Sequence, residues 1–254
     1  MQRLEARRCL IKKVKNEFMK KQWMLWSSLV GCSLFLLTAC LKNDNTTPSE
    51  IGYMSIIQAS PDAPGFHIFY NGNELTQGGL FTYPQSSDHY LNLDPGNFQL
   101  RFVSNSDTLV AVDDSMQNNN TYSLIVYDSA AAIKSMFLHD NLSGINDHSN
   151  QMGIRCLNLA PGSEPVDFYL DTVRLSSGRT FADNVSDPSL SEFTYLDPPT
   201  DTVHLIIRSS ATGDTLARYP EVFSLRAGVF TFYLRGIPTR TDSLGLNADY
   251  FVNL

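Results

Sequence analysis

The side chains able to do chemistry in this 254-residue sequence are few and scattered. Its five histidines are His67, His89, His139, His148 and His204. None forms an H-x-x-x-H or H-E-x-x-H pair, the spacing that sets two imidazoles on one helix face to hold zinc. Asp113-Asp114 is an acidic pair without the D-x-D-x-D-G order of a calcium loop, and it reads as a strand end. His139-Asp140 and Asp147-His148 could converge on a metal, but their polar surroundings read as a solvated linker. No G-x-S-x-G elbow, phosphate-binding glycine loop or Ser/His/Asp ordering occurs. The acids scatter across turns instead of forming the facing pair that glycoside hydrolysis requires. No catalytic residue, metal site or cofactor is expected.

One short pattern recurs more often than composition predicts: Asp, then Ser or Thr, then an aliphatic residue or Met. It places a hydroxyl at Thr108, Ser115, Ser129, Thr172, Thr202, Thr215 and Ser243, where ordinary residue frequencies would give roughly one. The triplet resembles an O-glycosylation acceptor of exported bacterial proteins, which would make these seven hydroxyls attachment points. Asp-Ser/Thr also closes turns, and the aliphatic residue would then open the next strand. Both readings stand.

The remaining reactive group is the thiol of Cys40. The run Trp23–Ala39 is apolar and follows Lys20-Lys21, with Leu37-Thr38-Ala39 directly before the cysteine. A charged start, a short apolar stretch and small residues before a cut make a secretory signal. Leu37-Thr38-Ala39-Cys40 resembles the lipobox of bacterial lipoproteins, in which the cysteine is acylated and becomes the new N-terminus. A retained spanning helix would need ~20 apolar residues, whereas this run is interrupted by Ser27, Ser28 and Ser33 and lacks a basic stop after it. The expectation is a signal peptide over 1–39, with Met19-Lys20-Lys21 the more ordinary start. Residues 40–50 then form a lipidated cysteine and a polar tether of roughly 17 Å by the coil estimate. The acyl (palmitate-type) chain would hold the protein on the cell envelope, at the outer membrane, with periplasmic and surface faces both open.

Beyond residue 39 the chain carries 11 basic and 24 acidic residues, a net charge of −13. That excludes nucleic acid as a partner, and electrostatic docking on anionic lipid. Cys156 is the one cysteine left for the folded part, so no intramolecular disulfide can form and the cores must hold by packing.

The elements that must position any site are strands, and they come twice. Tyr53 to Gly72 is echoed by Gly153 to Thr172, with Ile56 opposite Cys156, Pro61 opposite Pro161 and His67 opposite Asp167. Further on, Leu93-Asp94-Pro95 matches Leu196-Asp197-Pro198, and Tyr122-Ser123-Leu124 matches Phe230-Thr231-Phe232. Within each unit apolar residues alternate with polar ones, as in Phe98, Leu100, Phe102 and in Val203, Leu205, Ile207. This period of two, cut by Asn-Gly and Asp-Pro-Gly turns, predicts half-buried antiparallel strands. The fold class is all-β: two tandem immunoglobulin-like β-sandwich domains, at 51–140 and 153–254, joined by a linker over 141–152.

Ser60-Pro61-Asp62-Ala63-Pro64, followed by an alternating strand ending Asn71-Gly72, resembles a bacterial domain family of unknown function that carries an S-P-D-A-P motif, often in tandem. Leu93-Asp94-Pro95-Gly96-Asn97-Phe98 and Asp140-Asn141 are similar to further elements of that family. The resemblance implies two copies, a β-rich fold and an envelope setting, but no chemistry. Pro61 and Pro64 make the motif a rigid turn, with Asp62 bonding to nearby backbone. The functional expectation is a lipid-anchored, non-catalytic binding, adhesion or structural module with a glycan or protein ligand. The alternatives are an accessory glycan-binding subunit of an outer-membrane uptake complex and, behind it, a glycan-active hydrolase.

Overall fold

In the computed structural model, residues 50–147, 150–200, 202–221 and 228–253 are described. The alternating stretches form strands, nine in the first half and eight in the second. The first nine are β1 (Gly52–Gln58), β2 (His67–Tyr70), β3 (Asn73–Glu74), β4 (Gln85–Ser86), β5 (Leu91–Leu93), β6 (Gly96–Ser104), β7 (Asp107–Met116), β8 (Thr121–Tyr127) and β9 (Lys134–His139). The second set is β10 (Met152–Asn158), β11 (Val166–Leu170), β12 (Val173–Arg179), β13 (Thr194–Leu196), β14 (Leu205–Ser209), β15 (Thr215–Arg218), β16 (Gly228–Arg235) and β17 (Asn247–Val252). Among the described residues, two four-residue helices, α1 (Gly144–Asp147) and α2 (Asp183–Ser186), and short 3-10 turns accompany the strands.

Each half is a sandwich of two sheets, and the two halves share one topology. Sheet β4-β1-β8-β9, with β5 also on β1, faces sheet β3-β2-β6-β7; in the second half β13-β10-β16-β17 faces β12-β11-β14-β15. The tight turn between β2 and β3 is set by Asn71 and Gly72, both at positive φ (49° and 81°), the mirror-image turn that matches strand twist. The strands are not all antiparallel as expected: β1 runs parallel to β8, and β10 to β16. Period-two alternation reports which face a residue takes but not strand direction, so this pairing left no trace in the sequence.

The outer sheets keep the expected half-burial. In β6, Phe98, Leu100 and Phe102 point inward and are buried, with Asn97 and Gln99 exposed. The inner sheets do not. β10 and β16 are buried along their whole length, and β8 from Tyr122 onward. Their second faces pack against each other across a third apolar core. Ile57, Ala59, Ile125, Tyr127 and Met136 of the first sandwich meet Leu157, Leu159, Tyr233 and Phe251 of the second. The chain from Glu50 onward is thus one compact unit of four stacked sheets.

Like faces like in this contact. By strand register Ser123 of β8 corresponds to Thr231 of β16, and Asp140 after β9 to Asn253 after β17. The amides of Asp140 and Asn253 even bond to equivalent carbonyls, those of Thr121 and Val229. Arg155 stands where the first sandwich has Ser55. Its guanidinium is buried and donates to Asp140 Oδ1 (2.7 Å), Ser123 Oγ (3.1 Å) and Thr231 Oγ1 (2.8 Å). Asp140 Oδ2 accepts from Tyr90 Oη and Ser123 Oγ, both at 2.6 Å, and Asn253 Nδ2 donates to Tyr90 Oη at 2.8 Å. Asp140, expected in a solvated stretch at the linker, is 1% exposed. Its neighbour His139 is exposed, with its ring 5.2 Å from that of Tyr122.

Two outcomes follow. Arg155→Met strands the Asp140 carboxylate in the interior and should cost about 3–5 kcal/mol in denaturant unfolding. Adding Asp140→Asn removes the stranded charge and should recover a good part of that loss; no recovery would show that the pair is not what the interface needs. Cys156 is buried at the position of Ile56, and burial pushes its thiol up to about 12. Native protein should therefore react slowly with a thiol reagent at pH 8, and rapidly after unfolding.

Candidate functional site

The two sandwiches open at the same place, along the edge of β1 in the first and of β10 in the second. In the first, a cleft of about 270 Å³ runs between the sheets. Ile56, Ile68, Leu75, Phe81 and Leu91 form its walls, and Leu80, 54% exposed, stands on the rim. Thr76, Gln85 and Ser87 supply its neutral polar groups, and among the described residues no charged side chain is in its lining.

The loop over this cleft is built by one carboxylate. Glu74 Oε1 accepts from Thr76 Oγ1 (2.8 Å) and from the Gly78 amide (3.0 Å), and lies 2.7 Å from His67 Nδ1. The Thr76 hydroxyl foremost, then the Gly78 amide and His67, hold the Glu74 carboxyl below its ordinary range. Gly78 sits at φ +84°, which lets the chain reverse over Thr76. Gly65 has no room for a side chain: a Cβ there would meet Thr82 Cγ2 at 2.9 Å, so the returning segment lies directly on the backbone before β2. Ser87 Oγ accepts from the Ile56 amide at 3.0 Å, which docks the end of the loop on the edge of β1. Tyr83, at the loop's far point, donates nothing to the cleft. It crosses to the second sandwich, where Arg235 Nη1 donates to its hydroxyl (2.7 Å) and the guanidinium lies 5.0 Å from the ring centre.

In the second sandwich the equivalent cleft is smaller, about 140 Å³, and differently lined. Cys156 replaces Ile56, Leu175 corresponds to Leu75, and Thr194 pairs with Ile154 as Leu91 pairs with Met54. The place of β4 is taken by α2 and the turn Pro188–Ser191. Arg179, at the end of β12, enters the lining with Glu192. Burial draws the Arg179 guanidinium below its ordinary range, against the opposing pull of Asp183.

Leu37, Thr38, Ala39 and Cys40 lie outside the described residues. Of the triplet hydroxyls, Thr108, Ser115, Thr172, Thr202, Thr215 and Ser243 are exposed and Ser129 is half-buried. The structure brings none of them into either cleft. Thr172 lies in the turn directly before β12, Thr215 opens β15, and Thr108 follows the first residue of β7. Asp62 does not bond to its own turn: its carboxylate accepts from the Ala130 amide at 2.7 Å, tying the Ser60–Pro64 turn to the segment after β8. Among the described residues no three His, Cys, Asp or Glu side chains gather as metal ligands, and no helix is long and apolar enough to cross a membrane. Sequence reasoning missed both clefts, because the walls are ordinary apolar strand residues. Only Arg179, a charge in an otherwise alternating stretch, could have drawn notice.

Glu74→Ala removes the acceptor that orders the 75–80 loop. Amide hydrogen exchange at Gly78 and Gly79 should quicken severalfold while β6 and β8 amides are unchanged. Because the carboxyl's pKa is lowered by folding, the loop's order is present above the ordinary value of 4.5 and is lost only as pH falls through the lowered one.

No curated protein matches the sequence. Among solved structures, CBMbc (family CBM26) from Eubacterium rectale Amy13K, crystallised with maltoheptaose, is 12% identical; the alignment covers 79% of this chain and 95% of that one, with a TM-score of 0.24. A candidate adhesin from Bacteroides ovatus is 9% identical over 81% of this chain and 93% of its own, with a TM-score of 0.17. Both scores are too low to bear on function. Residues 52–169, from β1 into β11, match a domain of unknown function (DUF4397).

Proposed function

We propose that the mature chain is a non-catalytic binding module of the cell envelope, anchored through a lipid on Cys40 and engaging a protein partner through the cleft of its first sandwich. The observation that carries this reading is the lining of that cleft: apolar walls, an exposed leucine on the rim and, among the described residues, no charged side chain. Such a lining suits an inserted apolar side chain, and the Glu74 carboxylate and His67 beside it are engaged in holding the loop. The Gln85 and Ser87 oxygens already accept backbone amides, from Thr82 and Ile56, so a sugar would find the Gln85 amide and Ser87 hydroxyl donors against mostly apolar walls. The second sandwich is read as a diverged second copy of the domain that the first carries, since its sheets follow the same order. The exposed triplet hydroxyls, Thr108 and Thr215 foremost, are the proposed glycan attachment points.

A glycan and envelope-protein binding screen on the Glu50–Leu254 fragment tests the module. Leu80→Glu should weaken capture by tenfold or more while moving stability by less than ~0.5 kcal/mol, as surface changes do. Retained capture by Leu80→Glu would place the site elsewhere, and capture of a glycan alone would favour the uptake-subunit reading. Cys40→Ser should abolish incorporation of labelled palmitate in cells; continued incorporation would rule out the anchor.

A further inference from the structure

The second cleft holds a buried charge whose bonds are incomplete. Arg179 is 3% exposed, and its Nε and Nη2, both covered from solvent, have no hydrogen-bond partner among the described residues. Asp183 Oδ2 is the nearest counter-charge, 3.9 Å from Nε and beyond hydrogen-bond reach. Both Asp183 oxygens are already engaged, Oδ1 by the Thr180 hydroxyl at 2.6 Å and Oδ2 by the Thr180 amide at 2.8 Å. Buried polar groups are almost always bonded, and an arginine is costly to leave unsatisfied. Nε and one terminal nitrogen form the side of the guanidinium that matches the two oxygens of a carboxylate.

We propose that this cleft is a binding site for a carboxylate-bearing ligand, whose two oxygens take the unpaired Nε and Nη2 donors of Arg179 when the guanidinium turns into the space it lines. Ile154, Leu175 and Leu190 line the same space and cover the adjoining carbons. Leu190, 42% exposed, stands at the mouth as Leu80 does in the first sandwich. The cleft holds about 140 Å³. It admits a carboxylate and a few carbons, so a larger ligand enters by its acidic end. Glu192 also lines the cleft, and Asp183 lies beside the arginine. One cation among two acids can accept a single negative charge far better than the double charge of a phosphate. This site goes beyond the proposed partner contact in the first cleft and does not depend on it.

The test is a titration of the full chain with propionate, glucuronate, glucose and inorganic phosphate at constant ionic strength, read from arginine side-chain Nε–H resonances. Propionate should shift one resonance saturably, and that resonance should be missing in Arg179→Lys. A like shift with glucuronate assigns the site to acidic sugars; a shift with propionate alone assigns it to small organic acids. No saturable shift with either carboxylate, an equal one with phosphate or glucose, or a shift that survives Arg179→Lys overturns the proposal. Glu192→Gln, an exposed change that spares the fold, should tighten carboxylate binding roughly threefold or more by removing a like charge. Unchanged or weaker binding by that variant also overturns it.

Discussion

The buried ion pair between Arg155 and Asp140 is the constraint on which the arrangement of four sheets depends. Two charges in an apolar interior are tolerable only when every remaining donor and acceptor is met. Here Ser123, Thr231, Tyr90 and Asn253 meet them, drawn from strands or loops of both sandwiches. Shifting one sandwich against the other would break several of these bonds together. The surrounding apolar residues supply most of the favourable burial, but such contacts are non-directional. The polar network selects one register among the many that apolar packing would allow.

Two reciprocal clasps extend the same relation to the edges of the interface. Tyr83, from the cleft loop of the first sandwich, lies over Arg235 of the second. Phe181, from the corresponding loop of the second, lies over Lys134 and beside Tyr127 of the first. Register places Tyr127 and Arg235 at equivalent positions. Each cleft loop is therefore held at one end by the opposite sandwich, and the clefts are coupled to the interface through the loops that roof them. Where the two loops differ in between, one returning as β4 and the other folding as α2 and a 3-10 turn, the clefts differ in size and charge.

The strands were legible in the sequence because burial against a sandwich core imposes a period of two. Phe98, Leu100 and Phe102 follow it, and the pairing of Ile56 with Cys156, read from the matched stretches Tyr53–Gly72 and Gly153–Thr172, holds in strand register. The interface was not legible, for a physical reason. Its second face mixes apolar residues such as Ile57, Ile125, Leu157 and Tyr233 with Ser123, Thr231, Arg155 and Asp140, polar residues at positions where an alternating pattern predicts solvent. Alternation distinguishes two faces but cannot tell water from a hydrogen-bonded interior. Asp140 beside Asn141 looked like part of a polar linker for the same reason. The clefts escaped notice because their walls belong to the core pattern, and only the spatial convergence of loop and strand edge makes them hollow.

The interface also explains why the two halves differ at matching positions. A contact between identical faces places each residue opposite its own copy near the axis. With Asp at both 140 and 253, two carboxylates would meet in the interior, since Asn253 Nδ2 lies 3.3 Å from Asp140 Oδ2. Such a pair cannot be ionised together without a large penalty. With Arg at both 55 and 155, two guanidiniums would share a space in which Ser55 now bonds the Ser123 hydroxyl at 3.1 Å. Fusion of the halves in one chain permits what a symmetric dimer cannot have, a single arginine on one side and a single carboxylate on the other. Ser55 and Asn253 are the neutral, smaller or uncharged counterparts that this asymmetry requires. The differences between the halves at these positions are thus conditions of their packing, and they leave the two clefts free to differ on other grounds.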